Sequence, residues 1–278
     1  MGKISTYAKN KMIDHVFKAS YTPASTLYLC LCTSDPGVDS TGSTIAETNY
    51  TGYSRVSFTG STKFAAASAR KIVQNSLITF GQATSVSASV ISHWAICDAS
   101  TAGNMLAAGS FTASWNTVSG NTPKIASGEI EIEIESTVTG AGFTTAAANL
   151  LLDHVFLNDI WTSPASSIYC GLTTATMTEA STLATLTECS TANGYAREAI
   201  PAASFNAASS GANVTNADIA FNIPTGNLGT ITSFFVCNVA SGTNGVLISF
   251  DNDNITDQPV NIDDEVVVES GSFTCTLN

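Results

Sequence analysis

Two residue pairs have the types used in acid–base and nucleophilic catalysis, Asp14-His15 and Asp153-His154. A carboxylate that orients an imidazole turns the imidazole into a working base. Neighbouring residues on a helix point about 100° apart, however. Asp14 therefore cannot orient His15, and Asp153 cannot orient His154. A partner from elsewhere in the chain would be needed, and without one these are helix-flank residues bonded to a neighbour. His93 has Ser233 as its counterpart further along, so no role shared by both halves rests on it.

Three other groupings invite a ligand. Cys30 and Cys32 lie two apart on one strand face and could offer two thiolates to a metal. Gly171 and Thr173 stand in the equivalent places and no CxxC accompanies them, so they read as small buried hydrophobes. The run from Asp251 to Asp257 resembles the start of a calcium loop, making Asp251, Asp253 and Asp257 the cation candidates. The pattern fails at its fifth, sixth and twelfth positions, which hold Ile255, Thr256 and Ile262. A solvated turn is the simpler expectation. Tyr53/Arg55 and Tyr195/Arg197 differ in kind, because Arg197 is the one basic residue after position 139 and stands where Arg55 stands. Each Arg either stacks on its Tyr and pairs with a local carboxylate, or reaches a neighbouring subunit; all four are interface candidates. Phosphate loop, dinucleotide fingerprint and serine elbow are all absent from the sequence. No catalytic residue, resident metal or cofactor is expected, and the enzyme reading has no constellation behind it.

The recurrence of these pairs organises the chain. Ile13-Asp14-His15-Val16-Phe17 returns as Leu152-Asp153-His154-Val155-Phe156, and Pro23 to Tyr28 returns as Pro164 to Tyr169. Gly52 to Arg55, Asn75 to Phe80, Trp94 to Asp98 and Ser127-Gly128 return in the same order, at offsets drifting only from 139 to 143. This is a tandem duplication, too long in period for a solenoid unit. The expected domains are 1–139 and 140–278, with a boundary near Thr137 to Gly142.

Charge is sparse and unevenly placed. Only 12% of residues are charged, and the net charge is −12. Residues 1–139 hold nine basic and nine acidic residues, whereas residues 140–278 hold Arg197 against thirteen acids. That distribution excludes a nucleic-acid footprint and attraction to anionic lipid. No apolar run is long enough to span a bilayer. The start lacks the apolar core of a signal peptide and matches the loose myristoylation pattern through Gly2 and Thr6, with nothing else to support an anchor. Seven cysteines, of which only Cys97 and Cys237 correspond, point to buried free thiols.

Each copy should open with a helix. Met12, Ile13, Val16 and Phe17 share one helical face, as do Leu151, Leu152, Val155 and Phe156. These helices should end near Ser20 and Asp159. Short strands follow over Leu27–Cys32, Tyr53–Phe58, Leu77–Phe80, Val90–Cys97, Met105–Phe111 and Ile125–Glu135. In the last, Ile130, Ile132 and Ile134 point inward and the glutamates outward. The pattern predicts a mainly β chain: two tandem antiparallel β-sandwich or barrel-like domains, each with one amino-terminal helix. The long polar loops after Thr33 and Thr174 are of the kind that carries binding function.

These motifs are similar to those of small structural proteins of tailed-bacteriophage virions, described as tail-fibre-like or head-decoration-like. The first copy carries the likeness through Asp14-His15, Thr22-Pro23, Tyr28, Leu31, Thr33, Gly52-Tyr53-Ser54-Arg55, Asn75, Phe80, His93-Trp94 and Asp98. The second departs at Ser163, Ser233, Phe234 and Asn238. The resemblance implies a non-enzymatic virion component assembled in the host cytoplasm, either a capsid decoration or a surface fibre. Its partners would be other virion proteins and further copies of itself, in a homo-oligomer. The alternative is a receptor- or glycan-binding module of a fibre, for which Trp115 and Trp161 are the candidate aromatics. Charge asymmetry adds one expectation. The neutral first copy should dock on the particle, and the acidic second copy should project outward.

Overall fold

The computed structural model describes residues 1–85, 90–136, 140–163 and 168–277. Thr137 to Thr139 of the expected junction and Pro164 to Ser167 of the repeated strand entry lie outside the described residues. The chain is mainly β, with a sheet curled into a half-barrel.

In the first unit a seven-stranded sheet is built from β1 (Gly2–Ile4), β2 (Leu27–Cys32), β3 (Val56–Phe58), β4 (Lys71–Val73), β5 (Ile91–Cys97), β6 (Met105–Trp115) and β7 (Glu131–Glu133). Their order across the sheet is β3-β2-β5-β6-β1-β7-β4. Tyr28 pairs with Cys97 and Cys30 with Ala95, antiparallel, while β1 runs antiparallel to β6 and parallel to β7. A short ladder joins Ile78–Thr79 to Lys124–Ile125. The second unit repeats this plan. Its strands are β8 (Ala141–Phe143), β9 (Ile168–Thr173), β10 (Glu198–Ile200), β11 (Ser233–Cys237) and β12 (Leu247–Asp251), in the order β8-β12-β11-β9-β10. That order is the β1-β6-β5-β2-β3 stretch of the first sheet. A bulge at Ile96/Cys97 recurs at Val236/Cys237, which places the two corresponding cysteines at the same irregularity.

The copies compensate in volume across matched pairs. Cys30 faces Ala95, while the equivalent Gly171 faces Phe235, whose ring occupies the space a Cβ at Gly171 would take. Trp94 likewise fills the space that side chains at Gly2 and Gly109 would need. Where Phe234 replaces the indole, Ala141 and Asp251 stand in those two places. Close packing requires each such exchange to be balanced locally.

Helix α1 spans Thr6–Phe17, and α2 spans Thr145–Leu152, continuing as a π-helical turn over Asp153–Leu157. They end three and two residues short of the expected Ser20 and Asp159. Ser5 caps α1, accepting from the Ala8 N–H (3.1 Å) and donating to the Met105 carbonyl. Thr144 caps α2 the same way, accepting from Ala147 and donating to Leu247 (2.5 Å). Ala141 and Gly142, expected at the junction, form β8 with Phe143 and pair with β12.

The compact units are not the two contiguous halves of the chain. One comprises Met1–Lys9, Thr22–Ile134 and Asn149–Trp161. The other comprises Asn10–Tyr21, Glu135–Ala148 and Thr162–Asn278. Most of each helix thus belongs to the unit formed by the opposite sequence copy. Phe17, fully buried, packs in the second unit on Phe205 (4.9 Å between ring centroids), Phe273 (5.9 Å) and Phe143 (6.0 Å).

Candidate functional site

The Asp-His pairs hold backbone rather than a substrate. His15 Nδ1 accepts from the Tyr21 N–H (3.0 Å), and His154 Nδ1 accepts from the Trp161 N–H (3.3 Å). An Nδ1 that accepts carries no proton, so the ring proton sits on Nε2. Both imidazoles are buried and each closes the chain segment that leaves its helix. Asp14 Oδ1 accepts from the Ala208 N–H (2.8 Å) in the second unit. Asp153 Oδ1 accepts from the Ala67 N–H (2.6 Å) in the first. One turn earlier, Asn10 accepts from Gly211 and Asn149 from Arg70, each at 2.8 Å. Asn10 and Asn149 went unremarked in the sequence, although their shared offset of 139 marks them as a repeated pair.

What they grip is a tight hairpin. Ala69 and Arg70 have φ of 50° and 66°, and Ser210 and Gly211 have 52° and 77°. Two successive positive φ values match the two-residue hairpin turn that follows strand twist. Only Gly211 adopts this conformation without strain, so the first unit's turn is the one more dependent on its helix contacts.

The repeated Tyr and Arg lie just before β3 and β10, because the strand expected from Tyr53 begins only at Val56, and they converge on a carboxylate not singled out from the sequence. Arg55 donates from Nε and Nη2 to Glu47 Oε1 (3.0 and 2.6 Å), from Nη1 to the carbonyls of Ala99 and Ala102, and from Nη2 to that of Gly42. The Tyr53 hydroxyl donates to Glu47 Oε2 (2.5 Å) and accepts from the Leu31 N–H. The second unit repeats the node. Arg197 bridges both oxygens of Glu188 (2.8 and 2.7 Å) and the carbonyls of Val239 and Gly242, while Tyr195 links Glu188 to the Leu172 N–H. Glu47 and Glu188 share the offset of 141, and that was the available signal. The local carboxylate pairing is formed in both units. The ring beneath Arg197 is Phe235, at 5.4 Å, rather than Tyr195. Burial, followed by the Glu188 charge, pushes the Tyr195 phenol well above its ordinary value, so it remains a donor. The node ties the long loop after β2 or β9 to the turn after β5 or β11.

The remaining candidates are engaged elsewhere. Asp251 is fully buried; it accepts from the N–H groups of Asp253 and Asn254 and from the Asn254 side chain. Asp253 and Asp257 are exposed. Among the described residues, no group of three or more His, Cys, Asp or Glu is placed to hold a metal. Cys30 and Cys32 are buried free thiols, and burial raises Cys32 well above its ordinary value. Trp115 packs on Phe111 at 4.7 Å beside a cleft of about 370 Å³ that Lys124 and Glu129 also line. A cleft of about 550 Å³ lies at the equivalent place in the second unit, against Phe234, Val260 and Val267.

What recurs in both units is therefore scaffold: helix grip, carboxylate node and sheet order. Residues 3–133 and 142–276 each match the family described as podophage GP4 fiber I protein gp80. The chain belongs to this family. The two matches cover nearly all of it and confirm the tandem duplication of a phage virion structural family. No curated protein matches the chain. Family membership and the scaffold roles agree, because the residues repeated between copies are those that close loops and cores.

Proposed function

We propose that the protein is a non-enzymatic fibre component of a podophage virion, bound to other virion proteins and to further copies of itself. The observation that carries this is the double family match over residues 3–133 and 142–276. Capsid decoration makes the same demands on a β fold; the family description favours the fibre. The seven buried free thiols suit assembly in a reducing host cytoplasm. The first copy docks on the particle and the acidic second copy projects outward. Full-length variants test this polarity on particles lacking the protein. Lys3→Gln with Lys124→Gln should weaken co-sedimentation. Asp257→Asn, Asp263→Asn and Glu265→Gln together should leave it unchanged. The reverse result would overturn the polarity, and gold labelling of assembled particles tests the fibre location.

A second reading, receptor or glycan binding, is favoured by one observation: the cleft beside Trp115 pairs an aromatic face with Lys124 and Glu129. Under that reading Trp115→Ala leaves incorporation intact and lowers adsorption to host cells. Unchanged adsorption would sink it.

A further inference from the structure

We infer that the carboxy-terminal half of each helix is a ligand for the opposite sequence copy, so that the partner this fold is built to take is a second copy of itself. The ligand has a repeated signature: Asn10, Asp14 and Phe17, returning as Asn149, Asp153 and Phe156. An Asn and an Asp four apart stand on one helix face, one above the other. Their oxygens meet two N–H groups three residues apart on a hairpin, Ala208 and Gly211 for the first helix and Ala67 and Arg70 for the second.

The receptor is equally specific. In the second unit Phe17 enters among Phe143, Phe205 and Phe273. The Lys18 ammonium donates to the Phe205 carbonyl (2.7 Å), and Ser163 donates to that of His15 (2.5 Å). In the first unit the backbone at Phe156 lies so close to Gly60 that no side chain fits there. Unit membership states the same fact at a larger scale, since Asn10–Tyr21 and Asn149–Trp161 are traded between copies. Every copy therefore carries both a helix ligand and a helix receptor. One copy cannot fill its core with the contacts seen here, whereas two copies can fill both. The chain is the covalent form of a helix-exchanged pair, and this conclusion is independent of the fibre reading.

Nicking the folded full-length chain tests the idea. A protease site replacing residues 137–139 is cut after folding, and the product is sized under native conditions. The two fragments should co-migrate at the mass of the whole chain, 28.7 kDa, and separate only in denaturant. Two separately migrating fragments, each retaining its β circular-dichroism signal, would overturn the inference. A double-mutant cycle on the uncut chain gives an independent measure. Phe17→Ala and Phe205→Ala should be non-additive in unfolding midpoint, and Phe17→Ala and Phe64→Ala additive. Coupling to Phe64 in place of Phe205 would show that the helix docks on its own copy.

Discussion

Truncating Phe17 should damage the half of the chain that does not contain it. Phe17 has no exposed surface and makes three aromatic contacts, with ring centroids 4.9 to 6.0 Å away. Replacing a buried Phe by Ala costs about 3–5 kcal/mol, and each aromatic pair adds about 0.5–1.5 kcal/mol beyond area burial. Phe17→Ala should therefore fall towards the upper end, about 4–5 kcal/mol. All three ring partners belong to the second sequence copy, so the loss belongs to that unit. Hydrogen exchange read by mass spectrometry localises it. Peptides covering 168–173, 233–237 and 247–251 should lose protection, while those covering 27–32 and 91–97 should keep theirs. Phe156→Ala should give the mirror pattern. Loss of protection in 27–32 with 233–237 unchanged would refute the argument, as would a cost under about 1 kcal/mol.

The carboxylate node gives a second expectation: Arg197→Leu leaves Glu188 only the Tyr195 hydroxyl and, with that carboxylate still partly solvated, should cost about 1–3 kcal/mol, with Arg197→Lys a poor rescue because it lacks the bidentate fork; urea midpoints check both. Burial, together with the charge of Asp159, raises the Asp153 carboxyl above its ordinary value despite the Ala67 hydrogen bond. A group raised in the folded state contributes stability that is full below its unfolded value and lost as pH rises through the folded one. Asn keeps the acceptor oxygen without the charge, so Asp153→Asn should gain on the parent as pH rises above about 4; midpoints that stay parallel as pH rises would count against the assignment. All seven cysteines are buried, and burial raises Cys32, Cys170 and Cys275 and pushes Cys189 up to about 12. A thiol reagent at neutral pH should accordingly titrate none in the folded protein and seven in denaturant, and rapid labelling of the folded chain would contradict the packing.

Local pattern made much of the fold legible. Leu27–Cys32 reads as a strand because an unbroken apolar run needs cover on both faces, and its limits are those observed. The alternation of Ile130, Ile132 and Ile134 with glutamates fixes the inward face, and all three isoleucines are fully buried. Of the shortest strands, Val56–Phe58 and Ile78–Thr79 lie inside expected ones, but others were not legible. Gly2–Ile4 and Lys71–Val73 are held by cross-strand pairing and by no periodicity of their own. The expected Ile125–Glu135 strand divides into Lys124–Ile125 and Glu131–Glu133 around Gly128, whose φ is 87°. The site was half legible. Tyr53 and Arg55 stood out by their spacing, but Glu47 lies on the loop before them, where no periodicity marks it and only its repeat offset to Glu188 does.

The helix exchange was illegible for a deeper reason, and it changes how charge should be assigned. Both copies carry the same helix and the same hairpin, so docking within a copy and docking between copies have identical sequence signatures. Choosing between them depends on chain geometry outside the helix, which periodicity does not encode. Counted by sequence half, the charges are zero and −12. Counted by compact unit they become −2 and −10: Lys11 and Lys18 pass into the second unit together with Asp14 and Glu135, which cancel them, while Asp153 and Asp159 pass into the first. The asymmetry survives, softened at the contacts that join each helix to its receptor. Lys18 makes the point at one residue: its ammonium ends on the Phe205 carbonyl of a unit otherwise almost without cations. Divergence between the copies has therefore left the exchanged helices matched to their hosts, while the acids gathered around 251–269, in a stretch that includes the exposed Asp253, Asp257, Asp263 and Glu265. The residues that dock each helix and the residues that carry the acidic excess are therefore different residues of the same copy.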